Sequence, residues 1–253
     1  MLSQMVQILL LASSARAEYR EAVKRLEERD LRGAANAAQR SLSADPSFAP
    51  AISLMARIEM ASGDLDAASK RLRSGLAAHE GDASIRFLLG FCLYLQNDFE
   101  AALETFAPAD SSDARVILYR ALSNEALGRR ETAVSLYLQA IGMSKSAEPR
   151  LALARLLRKE GDIGGSARLI DEALANEPES REALYEKGQE LLASGNAAQA
   201  AQFGERALAA GGDAPSEREI RYLLIRAYLK SGDSANAARH RAAFEKLPQP
   251  LVR

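Results

Sequence analysis

A two-residue mark recurs along this chain at a nearly fixed interval. It reads Arg29-Asp30, Gly63-Asp64, Asn97-Asp98, Gly128-Arg129, Gly161-Asp162, Gly195-Asn196 and Gly232-Asp233, with successive gaps of 34, 34, 31, 33, 34 and 37 residues. A repeat of that length with a helix on each side of the mark is too short to bury its apolar face alone. Each copy must pack on the next, so the chain specifies a stacked array rather than separate compact globules. Gly and Asn at the first position supply the left-handed backbone that ends one helix, and the Asp or Asn that follows can cap the next.

Alignment on the marks exposes three columns of small side chains. Five residues beyond each mark's first residue stand Ala34, Ala68, Ala102, Ala133, Ser166, Ala200 and Ala237. Seven residues before it stand Ala22, Ala56, Gly90, Ala121, Ala154, Gly188 and then Ile225. Two helices approach closely only where side chains are small, so these two columns predict the contact points of a helical hairpin. The third column, Ser41, Gly75, Ala109, Ala140, Ala173, Ala207 and Phe244, closes the second helix. Larger apolar residues such as Leu153, Leu157, Leu169, Ile170 and Leu174 keep helical spacing around the columns.

This pattern resembles the tetratricopeptide repeat, in seven copies over about residues 15 to 247. The fullest matches run Leu89-Gly90, Leu93, Asn97-Asp98, Ala102, Phe106, and again Leu184, Gly188, Leu191, Gly195, Ala200, Ala207. Asp45-Pro46 and Glu177-Pro178 supply the family's proline after the second helix. The resemblance implies an all-α fold, a right-handed superhelical solenoid of antiparallel helix pairs over residues 18–247, with residues 248–253 as a tail. Departures from the pattern carry their own expectations. Pro108 should end the second helix of the third repeat early, because proline removes a donor and clashes with the preceding turn. Gly211-Gly212-Asp213-Ala214-Pro215 should make a looser joint. Ile225 and Phe244 mark the seventh repeat as an end cap, with Pro248 and Pro250 stopping the chain.

Composition narrows the function. Lys plus Arg is 33 and Asp plus Glu is 34, so no global field points to nucleic acid or anionic lipid. A single cysteine, Cys92, excludes an internal disulfide and a multi-cysteine metal site, and its apolar surroundings read as core. His79 and His240 lie in different repeats and read as solvated surface residues. No metal-spaced cluster, phosphate loop or nucleophile elbow occurs, and Gly164-Gly165 lacks the strand and third glycine of a dinucleotide fingerprint. No catalysis and no cofactor are expected.

The first residues admit two readings. The stretch Met5–Ala12 is apolar but too short to span a bilayer, and Ala15-Arg16-Ala17 fits an export-signal cleavage site with Glu18 as the first mature residue. That places the protein in the periplasm or outside the cell. No basic residue precedes the apolar stretch, and the other reading makes residues 1–17 a helix capping the first repeat of a cytoplasmic protein.

The resemblance further implies that the first helices of successive repeats line a concave groove that holds a peptide or protein segment. The groove positions include Arg57, Phe87, Phe91, Tyr94, Leu118, Tyr119, Arg155, Arg158, Tyr185, Tyr222 and Arg226. The middle of this set is aromatic and suits an apolar or helical segment. The arginines of the C-terminal half suit carboxylates, because the planar fork binds them in pairs of hydrogen bonds. The expected partner is a protein with an apolar and an acidic stretch. The lysine and asparagine clamp that one subfamily uses on acidic chaperone tails is missing, since Tyr19 and Val23 hold the equivalent positions. The expected function is a noncatalytic interaction scaffold of the bacterial envelope. The alternatives are an assembly subunit of a secretion, pilus or polysaccharide-export machine, and a cytoplasmic regulator.

Overall fold

The computed structural model describes residues 2–107 and 112–248, and of residues 2–10 the backbone alone. Among the described residues there are fourteen α-helices and no strand: α1 (Leu2–Glu27), α2 (Leu31–Ala44), α3 (Ala49–Ala61), α4 (Leu65–Ala78), α5 (Ala83–Leu95), α6 (Phe99–Phe106), α7 (Ala114–Ala126), α8 (Arg130–Met143), α9 (Ala147–Lys159), α10 (Ile163–Asn176), α11 (Arg181–Ala193), α12 (Ala197–Ala209), α13 (Glu217–Ser231) and α14 (Ser234–Glu245). The chain divides into two compact units, residues 1–136 and 137–253, with the division falling inside α8.

The marks do the folding work expected of them. The first residue of each is left-handed: φ is 60° at Arg29, 61° at Asn97, and from 72° at Gly128 to 93° at Gly195 for the glycines. The next residue's N–H then reaches the carbonyl five positions back, as in Asp30 to Arg25 (2.8 Å), Asp98 to Leu93 (3.0 Å) and Asp233 to Tyr228 (2.9 Å). This closure satisfies helix-end carbonyls that would otherwise lack a donor. The aspartates then cap the following helix: Asp30 accepts from Gly33 N (2.8 Å), Asp64 from Ala67 N (3.1 Å) and Asp162 from Gly165 N (2.8 Å). Asn196 makes no such side-chain bond. Arg29 takes the left-handed conformation despite its Cβ, at a cost of about 1 kcal/mol.

The small columns are the contacts between paired helices. Ala22, Ala34, Ala56, Ala68, Ala102, Ala121, Ala133 and Ala200 are fully buried. A Cβ at Gly188 would sit 2.8 Å from Leu223 Cδ2 and 3.3 Å from the Ala200 carbonyl oxygen. In the third column Ser41, Ala140, Ala173 and Ala207 are fully buried; Ala109 lies outside the described residues. In the seventh repeat Ile225 is buried all the same, and Phe244 is half-buried beneath the Arg218 guanidinium, 4.3 Å from the ring centroid.

Two departures are informative. Helix α6 is 8 residues long where its counterpart α4 has 14, as an early stop requires; Pro108 itself lies outside the described residues. The glycine-rich joint, in contrast, is tied at both ends. Arg181 of α11 donates to the Ala210 carbonyl (3.0 Å) and the Pro215 carbonyl (2.8 Å), and Ser216 and Glu219 form a capping box at the start of α13. The glycines are legible in the sequence, whereas the arginine that reaches across to them is brought there only by the fold.

Within each unit the odd-numbered helices touch one another as well as their partners: α3 with α5 and α5 with α7 in the first unit, α9 with α11 and α11 with α13 in the second. The odd helices therefore form an inner layer and the even helices an outer one. Between the layers of the first unit lies a core that includes Leu72, Ile85, Leu93 and Phe106. The second unit's largest core includes Leu184, Ile220 and Leu224. Among the described residues no helix is long and apolar enough to cross a membrane.

Replacing Ala102 with Leu should overpack the α5–α6 contact and cost about 1–3 kcal/mol. Chemical denaturation measures it, and an unchanged midpoint would contradict the register.

Candidate functional site

Helix α5 positions the centre of the site. Phe87 and Phe91 stand four residues apart on one face, so their rings stack, with centroids 6.2 Å apart and planes 11° apart. Tyr119 of α7 closes on both, at 5.9 Å from Phe87 and 4.7 Å from Phe91. Phe106 supports them from the core, fully buried and 6.3 Å from Phe87. Its place depends on Gly90, where an added Cβ would strike the Phe106 ring. Tyr94 fills the far side, 5.3 Å from Tyr119 and 5.7 Å from Phe99.

The rings are half-buried, and above them opens a groove of about 700 Å³ lined by Arg57, Met60, Phe87, Phe91, Leu95 and Arg115 among others. Arg115 was not legible as a groove residue, although it stands four before Tyr119 and so shares its helix face. Its guanidinium lies over Phe87, 4.6 Å from the centroid, and its Nη2 is 2.7 Å from Asp113 Oδ2. The Arg115 side chain holds the Asp113 carboxyl below its ordinary range, against the opposing effect of burial. The pair is therefore complete above the usual carboxylate range and is lost only as pH falls through the lowered value.

The remaining expected positions divide. Arg57 is exposed in the groove and has no hydrogen bond or ion pair among the described residues. Leu118 does not belong to the groove: it is 3% exposed, on the buried arc of α7 with Ile117 and Ala121, and its neighbour Tyr119 takes the open face. In the second unit Arg155 and Arg158 are not free for a partner's carboxylates. Arg155 Nη1 lies 2.5 Å from Glu182 Oε1 and 3.5 Å from Glu186 Oε1, and Arg158 Nη1 lies 2.8 Å from Glu186 Oε2. The Glu186 side chain is only 7% exposed, so these arginines brace α9 against α11. Tyr185 is half-buried, and burial pushes its phenol up, with Glu219 and Glu186 adding to the rise. Tyr222 is 57% exposed with Arg226 5.7 Å from its ring centroid, an open pair on α13.

His240 corrects a second expectation. It is 2% exposed rather than solvated, stacked 5.6 Å from Tyr228, with Nε2 2.9 Å from Glu205 Oε1 and Nδ1 3.2 Å from Arg221 Nη1. Arg239 Nη2 also lies 3.0 Å from Nε2, so both ring nitrogens have partners. Tyr228 donates to the Glu205 carboxylate (2.9 Å), and burial followed by that bond pushes its phenol up to about 12. The group joins α12, α13 and α14 as a satisfied internal network. His79 is half-buried at the end of α4, its Nε2 against the Ser47 carbonyl. Among the described residues no group of three or more His, Cys, Asp or Glu could hold a metal ion.

These features define a class: a helical-repeat protein with an open aromatic groove on the inner layer of its first unit. Family models described as tetratricopeptide repeat match residues 25–83, 60–126 and 151–215, about two-thirds of the chain. The chain belongs to the tetratricopeptide repeat family, whose fold serves as a scaffold for protein interactions. No curated protein matches it in sequence. Its fold is similar to that of a tetratricopeptide repeat protein from Parabacteroides merdae, with TM-score 0.67 and 16% identity over 94% of this chain and 95% of that one. It is similar to yeast Tom70, with TM-score 0.75 and 15% identity, over 96% of this chain but 52% of that one. PilW, a type IV pilus biogenesis factor, gives TM-score 0.67 and 18% identity over 83% of this chain and 98% of that one.

Replacing Glu186 with Ala should leave Arg155 and Arg158 without their shared carboxylate and cost about 1–3 kcal/mol. Urea denaturation measures the loss, and a wild-type midpoint would show that the arginines are not braces.

Proposed function

We propose that this protein is a noncatalytic scaffold whose first unit receives an apolar or helical segment of a partner protein in the groove over α5. The observation that carries this reading is the half-buried Phe87, Phe91 and Tyr119 cluster, held in place from below by Phe106 and open above. Rigid aromatic side chains of this kind supply large contact area at small cost in side-chain entropy. Phe91→Ala and Tyr119→Ala should each weaken binding of the native partner about tenfold or more, with the helical signal and melting temperature near wild type. Wild-type affinity in both variants would sink the reading and favour an assembly subunit that binds through its outer helices or ends.

The proposed site of action is the cell envelope, on the strength of the apolar stretch before Ala15-Arg16-Ala17. One observation favours the cytoplasmic alternative. Helix α1 runs unbroken through this segment, Ala15 is fully buried, and its carbonyl accepts the Ser41 hydroxyl at 2.7 Å. Mass spectrometry of the protein from its native cell should find Glu18 as the first residue. An intact N-terminal segment would instead make it the capping helix of the first repeat.

A further inference from the structure

Three hollows on the inner layer of the first unit share their walls. The groove over α5 and a second hollow are both lined by Ser53, Arg57 and Ser84, and the second shares Tyr19 with a third beside α1. Together they form one trough along α1, α3 and α5.

The charge in this trough is one-sided. It is lined by Arg16, Arg20, Arg57 and Arg115, against a single acid, Asp82. Asp82 is occupied at the start of α5, where it accepts from the Ser84 and Ile85 backbone N–H groups at 2.9 Å. Arg115 is held by Asp113 and the Phe87 ring. Arg16, Arg20 and Arg57 are exposed and have no hydrogen bond or ion pair among the described residues. The whole chain carries a formal charge of only −1, so this is a local segregation of charge and not a consequence of composition. Outside the trough Arg71 holds Glu59 at 2.7 Å, and Arg155 and Arg158 share Glu186, pairings of the kind that Arg16, Arg20 and Arg57 lack among the described residues. Unmatched arginines beside open aromatic rings lack only the carboxylates.

We propose that the occupant of this trough is an acidic segment of a partner protein. Its carboxylates pair with Arg20 and Arg57, and an aromatic or aliphatic side chain rests on Phe87 and Phe91. The proposal rests on the groove reading above and adds the chemistry of the ligand. It also moves the acidic contact from Arg155 and Arg158, which are spent within the second unit, to the first unit. Arg16 is left out of the test, since it lies within the segment whose cleavage is in question.

The test presents the immobilised full chain with a phage-displayed random-peptide library. Selected peptides are synthesised, and their affinity is measured against wild type, Phe91→Ala, and the Arg20→Gln/Arg57→Gln double variant. Both arginines are exposed, so the double variant should melt as wild type does. Selected peptides should pair Asp or Glu with a nearby aromatic or aliphatic residue. The double variant should weaken them about tenfold or more and flatten their salt dependence, and changing the peptide's Glu to Gln should do the same to wild type. Peptides without acids, or insensitive to the double variant but lost with Phe91→Ala, would overturn the acidic occupant and leave the groove reading standing. Affinity indifferent to Phe91→Ala as well would overturn both, as would failure to select any peptide. An oligothymidylate that binds wild type and not the double variant, with no acidic peptide selected, would make the trough a polyanion site and overturn the proposal.

Discussion

The closest approach of two helices at a pair of small side chains is the constraint on which everything else here depends. Ala22 and Ala34, and Ala56 and Ala68, are fully buried between paired helices with no side chain larger than a methyl group, and a Cβ at Gly188 would come within 3.3 Å of the Ala200 carbonyl oxygen. Each helix pair contributes only a narrow apolar face, and close approach lets larger neighbours such as Leu72, Ile85 and Leu93 interdigitate around the contact. The left-handed turn fixes where along the two helices the small residues meet. A hairpin with a slipped turn would set alanine against leucine, so turn geometry and packing select the same register.

The same constraint shapes the groove. With a ring filling the space that Gly90 leaves open, the aromatic set on α5 sits on a firm floor, half-buried, with the Arg115 guanidinium over Phe87. The inner layer then presents side chains that the pairing contacts do not use. Its aromatic centre is bordered by arginines, and the outer helix α6 supplies the Phe106 ring beneath it.

Local chemistry was the legible part. The seven marks, the aspartate caps and the small columns could be read because each acts within a few residues of itself. Phe87, Phe91 and Tyr119 were also legible, since helical spacing alone puts them on a shared layer. What could not be read depends on partners far along the chain. Arg155 looks like a free cation until Glu182 and Glu186, 27 and 31 positions on, are folded against it. His240 looks solvated until Glu205 and Arg221 close around it, and Arg181 gives no hint that it will cross to Ala210 and Pro215. Leu118 failed for a subtler reason: the buried arc of α7 is wide enough to take in a position that is open on α5.

The missing side chain at position 90 and the ring at position 106 divide a single volume between two helices. Neither letter has a meaning alone, because a methyl group gained at one must be surrendered by the other. Over generations the two should drift as a couple. A homologue that carries alanine at the first position is the natural place to look for a slimmer residue at the second, and with it a deeper, softer floor beneath the groove.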